Sequence, residues 1–167
     1  MLVRLLAYAD LRPQEARGLQ WAQVRDRTLV VHAPEMRRYR PQPRTVRLLA
    51  PLAQGLREWR LASGRPADDR PVIPAHNGGV WTEVGYEQWS NHTWRPALER
   101  VGVAYQRPYV LRHSFASMLL HEGRSVVYVA RQLGHSTAVC LRTYGHVVDE
   151  LEATPRITAK EASIRPP

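Results

Sequence analysis

Three short clusters in this 167-residue chain bring together side chains able to handle a phosphate ester. The first is Leu11-Arg12-Pro13-Gln14-Glu15, followed by Leu19-Gln20-Trp21, and the second is Leu111-Arg112-His113-Ser114-Phe115-Ala116. The third sets Leu133-Gly134-His135-Ser136 just ahead of Thr143-Tyr144-Gly145-His146. Arginine keeps its charge at any working pH and grips phosphate oxygens through a planar two-pronged fork. Taken singly, each cluster has an ordinary reading: a surface Arg-His at a helix start, a helix end at Leu-Gly-His, a Tyr used for packing. Their order along one chain is what makes them a candidate site.

The composition agrees with an anionic partner without requiring one. The formal net charge is +9, and of the 24 basic residues only Lys160 is a lysine. Guanidinium charge suits a polyanion, although an Arg-rich chain is also what a GC-rich genome encodes. Apolar residues make up 44% and charged residues 23%, ordinary values for one compact domain with a hydrophobic core. Cys140 is the only cysteine, which excludes an internal disulfide and any Cys-rich zinc site and fits a reducing interior. No stretch approaches the ~20 apolar residues of a membrane span, and Met1-Leu2-Val3-Arg4 does not open a signal peptide. A cytoplasmic protein with no membrane partner is expected.

The elements that must carry these clusters are mostly helical. Leu2, Leu5, Leu6 and Ala9 recur at helical spacing, and Pro13 opens a short helix through Leu19 with Arg12 at its entrance. Two β-branched runs, Thr28 to His32 and Arg44 to Leu48, predict a hairpin whose tip, Pro34 to Pro43, is basic. Pro51 begins a helix ended by Ser63-Gly64-Arg65-Pro66, and a loop from Ala67 to Gly79 follows. Thr82 to Val101 is helical in period with a break or bend at Pro96. Beyond it come helices over Val110 to His121, Val126 to Leu133 and Thr137 to Thr143, the last ending near Gly145, then a helical stretch at Val147 to Ala153. Ser125 and Ser136 suit N-caps.

In order and spacing the clusters resemble the tyrosine recombinases of the phage-integrase type, over about Leu5 to Asp149. That family has an Arg before a Glu, a His-x-x-Arg-His box, a Leu-Gly-His, and a Tyr nine residues on. The resemblance implies an α+β fold, mainly helical with a small antiparallel sheet, over residues 1–150, followed by a C-terminal tail at 151–167. It implies site-specific DNA recombination by strand cleavage and rejoining through a 3′-phosphotyrosine, without metal, ATP or cofactor. Tyr144 matches the nucleophile, Arg12 and Arg112 the phosphate clamp, and His135 a third donor beside a helix N-terminus. Glu15 matches a support for the turn at Arg12, and His113 a support that hydrogen-bonds the catalytic groups. Arg37, Arg38, Arg40 and Arg44 belong on the DNA-facing hairpin. Double-stranded DNA is the implied partner, bound by a tetramer that is monomeric without it.

Three departures stand beside the match. Tyr109 occupies the place of the first His of the box and either packs or donates a proton; the family's hairpin Lys falls near Arg37 or Arg38, and arginine hardly delivers a proton. Asp10 stands where the family commonly has Gly, and a salt bridge from it to Arg12 is expected to compete with phosphate. The upstream helical domain of such recombinases has no counterpart in these residues. The alternative is therefore a truncated, catalytically impaired remnant that only binds DNA or a full-length recombinase. An unrelated basic helical regulator is set aside by the ordered Arg, Arg, His and Tyr.

Overall fold

A computed structural model describes residues 1–32 and 43–152. Among them are eight α-helices and one two-stranded sheet, the mainly helical α+β architecture expected. α1 (Leu2–Tyr8) buries Leu2, Leu5 and Leu6 along one stripe, and α2 (Pro13–Arg17) starts at Pro13, whose fixed φ and missing N–H suit a first helical position. A 3₁₀ turn at Trp21–Gln23 leads to β1 (Thr28–Val31), paired antiparallel with β2 (Arg44–Arg47) so that Thr28 faces Arg47 and Val31 faces Arg44. Leu29, Val31 and Val46 turn inward by the two-residue alternation of a strand. Such a ribbon is marginal alone; here the Arg47 backbone N–H donates to Gln132 Oε1 at 2.8 Å, tying β2 to the seventh helix. Arg37, Arg38 and Arg40, with most of the hairpin tip, lie outside the described residues, as do residues 153–167.

α3 (Ala50–Ala62) carries Leu52, Ala53 and Leu56 into the core, and its chain leaves through Gly64 at φ 78° and Arg65 at φ 53°. α4 (Glu83–Trp89) is capped by Thr82 Oγ1, which accepts from the Gly85 N–H at 3.0 Å. The period read across Pro96 continues through a π-helical turn, Ser90–Trp94, into α5 (Arg95–Arg100), so the helical path passes Pro96 with a locally widened turn just before it. A 3₁₀ turn at Pro108–Val110 runs into α6 (Leu111–His121), then α7 (Val126–Leu133) and α8 (Thr137–Glu152). α6 packs between α1 and α8, and α7 lies across β2.

α8 corrects the sequence reading. A helix ending near Gly145 is expected, yet α8 runs unbroken from Thr137 to Glu152. Cys140, Tyr144 and Val147 recur on one buried face at helical spacing, and that burial outweighs the ~1 kcal/mol that a mid-helix glycine costs. Among the described residues no helix is long and apolar enough to cross a membrane.

Candidate active site

The site grows from the turn that joins α1 to α2. Glu15, whose side chain is 2% exposed, accepts the Arg12 backbone N–H at 2.8 Å and Arg12 Nη1 at 2.9 Å, pinning Arg12 at the entrance of α2. The same carboxylate takes Arg44 in a two-pronged pair, Nη1 at 2.9 Å and Nη2 at 2.8 Å. Burial alone would raise the Glu15 carboxyl, but the hydrogen bonds and charge of Arg44, joined by Arg12, hold it down at about 2.

Arg44 is thus turned inward, which corrects its expected place on an outward DNA-facing surface. A buried carboxylate shared by two guanidiniums is the physical reason: Glu15 needs more donors than Arg12 supplies. Arg44 also donates from Nη2 to the Asp10 carbonyl at 3.3 Å and lays its stem over Gly134, where an added Cβ would meet Arg44 Cδ at 2.9 Å. Gly134 sits at φ 65°, closing α7, so both its backbone and its neighbour exclude a side chain.

Asp10 differs from expectation in its partner. It is fully buried, in the left-handed backbone region at φ 52°, and its Oδ1 lies 2.7 Å from Arg112 Nε, not against Arg12. Apart from this ion pair, neither Asp10 oxygen has a hydrogen-bond donor among the described residues. The short turn places Asp10 behind α2, on the side facing α6. Burial pushes its carboxyl up to about 8, with Arg112 and Arg44 offsetting only part of that.

Arg112, in the first turn of α6 and 1% exposed, is the hub. Its Nη2 donates to the Leu133 carbonyl at 2.8 Å, one of the carbonyls freed at the end of α7, and lies 3.3 Å from His135 Nε2. A guanidinium can only donate, so Nε2 accepts and the ring proton sits on Nδ1. Burial first, then the charges of Arg112, Arg12 and Arg44, push the imidazole down to about 4, leaving His135 neutral at neutral pH. Arg112 Nη1 and His135 Nδ1 are both buried and have no partner among the described residues. Beyond His135, Ser136 caps α8 as the sequence suggests, its Oγ accepting from the Val139 N–H at 3.3 Å.

Tyr144 lies within α8 and is 3% exposed, its hydroxyl 3.0 Å from His113 Nδ1. Burial, with the nearby Asp10, pushes the phenol up to about 12. Tyr109 is 44% exposed and packs edge-on against His113, ring centroids 5.9 Å apart, with the Arg112 guanidinium 6.0 Å from its ring. Of the two readings left open for Tyr109, packing is the one these contacts support. The structure therefore gathers Arg12, Arg112, His135, Tyr144, His113, Glu15 and Tyr109 into one connected cluster. Sequence reasoning missed Asp10 bound to Arg112 and, while expecting a hydrogen bond from His113, did not identify the Tyr144 hydroxyl as its partner. The only sequence signal for the first is the charged residue at a position that favours glycine.

A phage integrase family profile matches residues 1–150. Over 148 residues the chain is 32% identical to the tyrosine recombinase XerC of Xylella fastidiosa strain 9a5c, covering 87% of this chain and 47% of XerC. The fold superposes on the crystal structure of the XerA recombinase with a TM-score of 0.71 at 21% identity, covering 92% of this chain and 57% of that one. It superposes on the Tn1549 transposon integrase, solved in complex with circular intermediate DNA, with a TM-score of 0.66 at 17% identity, covering 96% and 56%. The chain spans about half the length of these proteins.

Proposed function

The chain belongs to the phage integrase family, and on that premise we propose that residues 1–150 act as a tyrosine recombinase catalytic domain, cutting and rejoining DNA through a covalent Tyr144–DNA link. One observation carries this reading. Two buried donors, Arg112 Nη1 and His135 Nδ1, have no acceptor among the described residues, in the same cluster as a buried tyrosine hydroxyl. A buried donor left unpaired costs about 1–3 kcal/mol, and a phosphoryl oxygen is an acceptor that cancels that cost. Arg12, partly exposed above Glu15, supplies a third set of donors.

Tyr144 Oη would attack the scissile phosphorus, forming a 3′-phosphotyrosine and releasing a 5′-hydroxyl; that hydroxyl, or its counterpart on a partner strand, then reverses the step. The phosphotyrosine preserves the ester bond, so rejoining needs no ATP. As charge builds on the non-bridging oxygens, Arg112, Arg12 and the His135 N–H stabilise it from fixed positions. Double-stranded DNA is the proposed partner, supported by the DNA-bound integrase of the same fold. On DNA we propose a tetramer with residues 151–167 as an inter-protomer tail, and a monomer in its absence.

Relaxation of supercoiled plasmid in the presence of a chelator tests the reading without knowledge of a target site. The proposal expects slow relaxation that Arg112→Ala abolishes; supercoiling unchanged by the unsubstituted chain at any salt concentration contradicts it. A second reading, binding without cleavage, is favoured by one specific contact, the Asp10 carboxyl already occupying Arg112 Nε. It predicts retarded plasmid mobility with no relaxation.

A further inference from the structure

We propose that His113 is the base that removes the proton from the Tyr144 hydroxyl as it attacks DNA. This rests on Tyr144 being the nucleophile and adds the group that makes it one. His113 Nδ1 is 3.0 Å from Tyr144 Oη, and the two rings meet at 5.8 Å with a 56° tilt, a geometry in which the phenol O–H addresses the imidazole nitrogen. Tyr109 packs edge-on against the same imidazole, its plane at 83°, and holds it facing Tyr144. Tyr109 thereby positions the base at the place where the family pattern has a histidine.

Other groups near the hydroxyl are committed elsewhere. His135 Nε2 takes the Arg112 hydrogen bond, and Asp10 lies against Arg112 Nε. Buried Tyr144 also resists ionisation without help, its phenol pushed up to about 12 by burial, so a nearby acceptor is a requirement of the chemistry. His113 is faced by Tyr144 from α8, by Tyr109 from the turn before α6 and, more distantly, by the neutral His135 ahead of α8, while its chain neighbour Arg112 is buried. Of these only Tyr144 presents a proton to it.

In the step, the Tyr144 O–H bond breaks and its proton passes to His113 Nδ1 while the Oη–P bond forms. The P–O5′ bond breaks, and the leaving 5′-oxygen keeps that electron pair and takes a proton from water. The imidazole ring is exposed and can return its proton to solvent from Nε2. In rejoining, the 5′-hydroxyl gives its proton to water, forms the new O–P bond, and Tyr144 recovers a proton from His113.

The test is the rate of covalent adduct formation on supercoiled plasmid, trapped by denaturant, from about pH 6 to about pH 9, for the unsubstituted chain, His113→Gln and His113→Ala. The proposal expects His113→Gln to lose about 100-fold near neutrality, with the deficit shrinking as pH rises and imidazole restoring part of the His113→Ala rate. DNA affinity and melting temperature should stay near those of the unsubstituted chain. An unchanged rate, or the same fold-loss at every pH, overturns it. A second measurement needs no turnover: ¹⁵N NMR of the His113 ring should show an unprotonated, hydrogen-bond-accepting Nδ1 whose shift moves in Tyr144→Phe. A proton fixed on Nδ1 overturns the assignment of His113 even if adduct forms. No adduct from the unsubstituted chain, with the NMR signature intact, instead sinks the recombinase reading.

Discussion

Arg112 divides its donors, with Nε against Asp10 and Nη1 left for a phosphoryl oxygen. The Oδ1–Nε contact at 2.7 Å places a carboxylate where a phosphoryl oxygen would compete, and the left-handed backbone at φ 52° is tolerated by Asp better than by most residues. At pH above about 8, where the Asp10 carboxyl is ionised, Asp10→Asn keeps the shape and removes the charge, and should tighten DNA binding by about tenfold, the equivalent of ~1.4 kcal/mol; unchanged affinity there in a fluorescence-anisotropy titration would show that Asp10 does not compete. The sign of the pH effect follows from the carboxyl being raised to about 8, above its ordinary range. Its favourable contribution to folding is complete at pH below about 4 and is lost as pH rises through about 8. Glu15 has the opposite sense: held at about 2, its contribution is complete above about pH 4 and is lost as pH falls through about 2. Urea-unfolding midpoints across this range should decline from about pH 4 to about pH 8 in the unsubstituted chain, and less so in Asp10→Asn. The Arg12–Glu15 contact was legible because two residues three positions apart at a helix entrance are brought together. The Asp10–Arg112 pair was not, because nothing local tells a carboxylate at a turn which distant guanidinium the packing of α1 on α6 will bring to it.

At the scale of elements, the same contrast separates caps from continuity. Pro13, Pro51, Ser125 and the alternating strands act within a turn or two of themselves, and the elements begin where those residues indicate. The unbroken run of α8 depends on burial of Cys140, Tyr144 and Val147 against α6 and α7, which no local signal contains. Two glycines test this. An added Cβ at Gly145 meets nothing within 4 Å, so Gly145→Ala should stabilise α8 by about 1 kcal/mol and raise the melting temperature by about 2–4 °C. Gly134→Ala meets both a left-handed φ and Arg44 Cδ at 2.9 Å; it should cost about 1–2 kcal/mol and weaken DNA binding through displacement of Arg44 and Glu15 from Arg12. A neutral Gly134→Ala in thermal melts would show the α7–α8 turn to be more pliable than this geometry allows.

For the whole molecule, the net charge of +9 was readable from composition, but not which arginines face outward. Arg44 is turned in against Glu15 and Arg112 against Asp10, because these interior carboxylates need guanidinium partners, and Arg17 is buried with its tip at 2.8 Å from the exposed Glu83. The remaining exposed cations should still bind DNA electrostatically, with affinity falling at least ~10-fold between about 50 and about 200 mM salt. The central claim is a covalent bond between Tyr144 and DNA, and mass spectrometry of the trapped adduct tests it most directly. After denaturant trapping on plasmid DNA and digestion with nuclease and trypsin, the peptide beginning at Thr143 should carry a 3′-linked nucleotide on Tyr144, absent in Tyr144→Phe although that variant binds DNA equally well. An adduct that persists in Tyr144→Phe, or a nucleotide found on any other residue, would contradict the account.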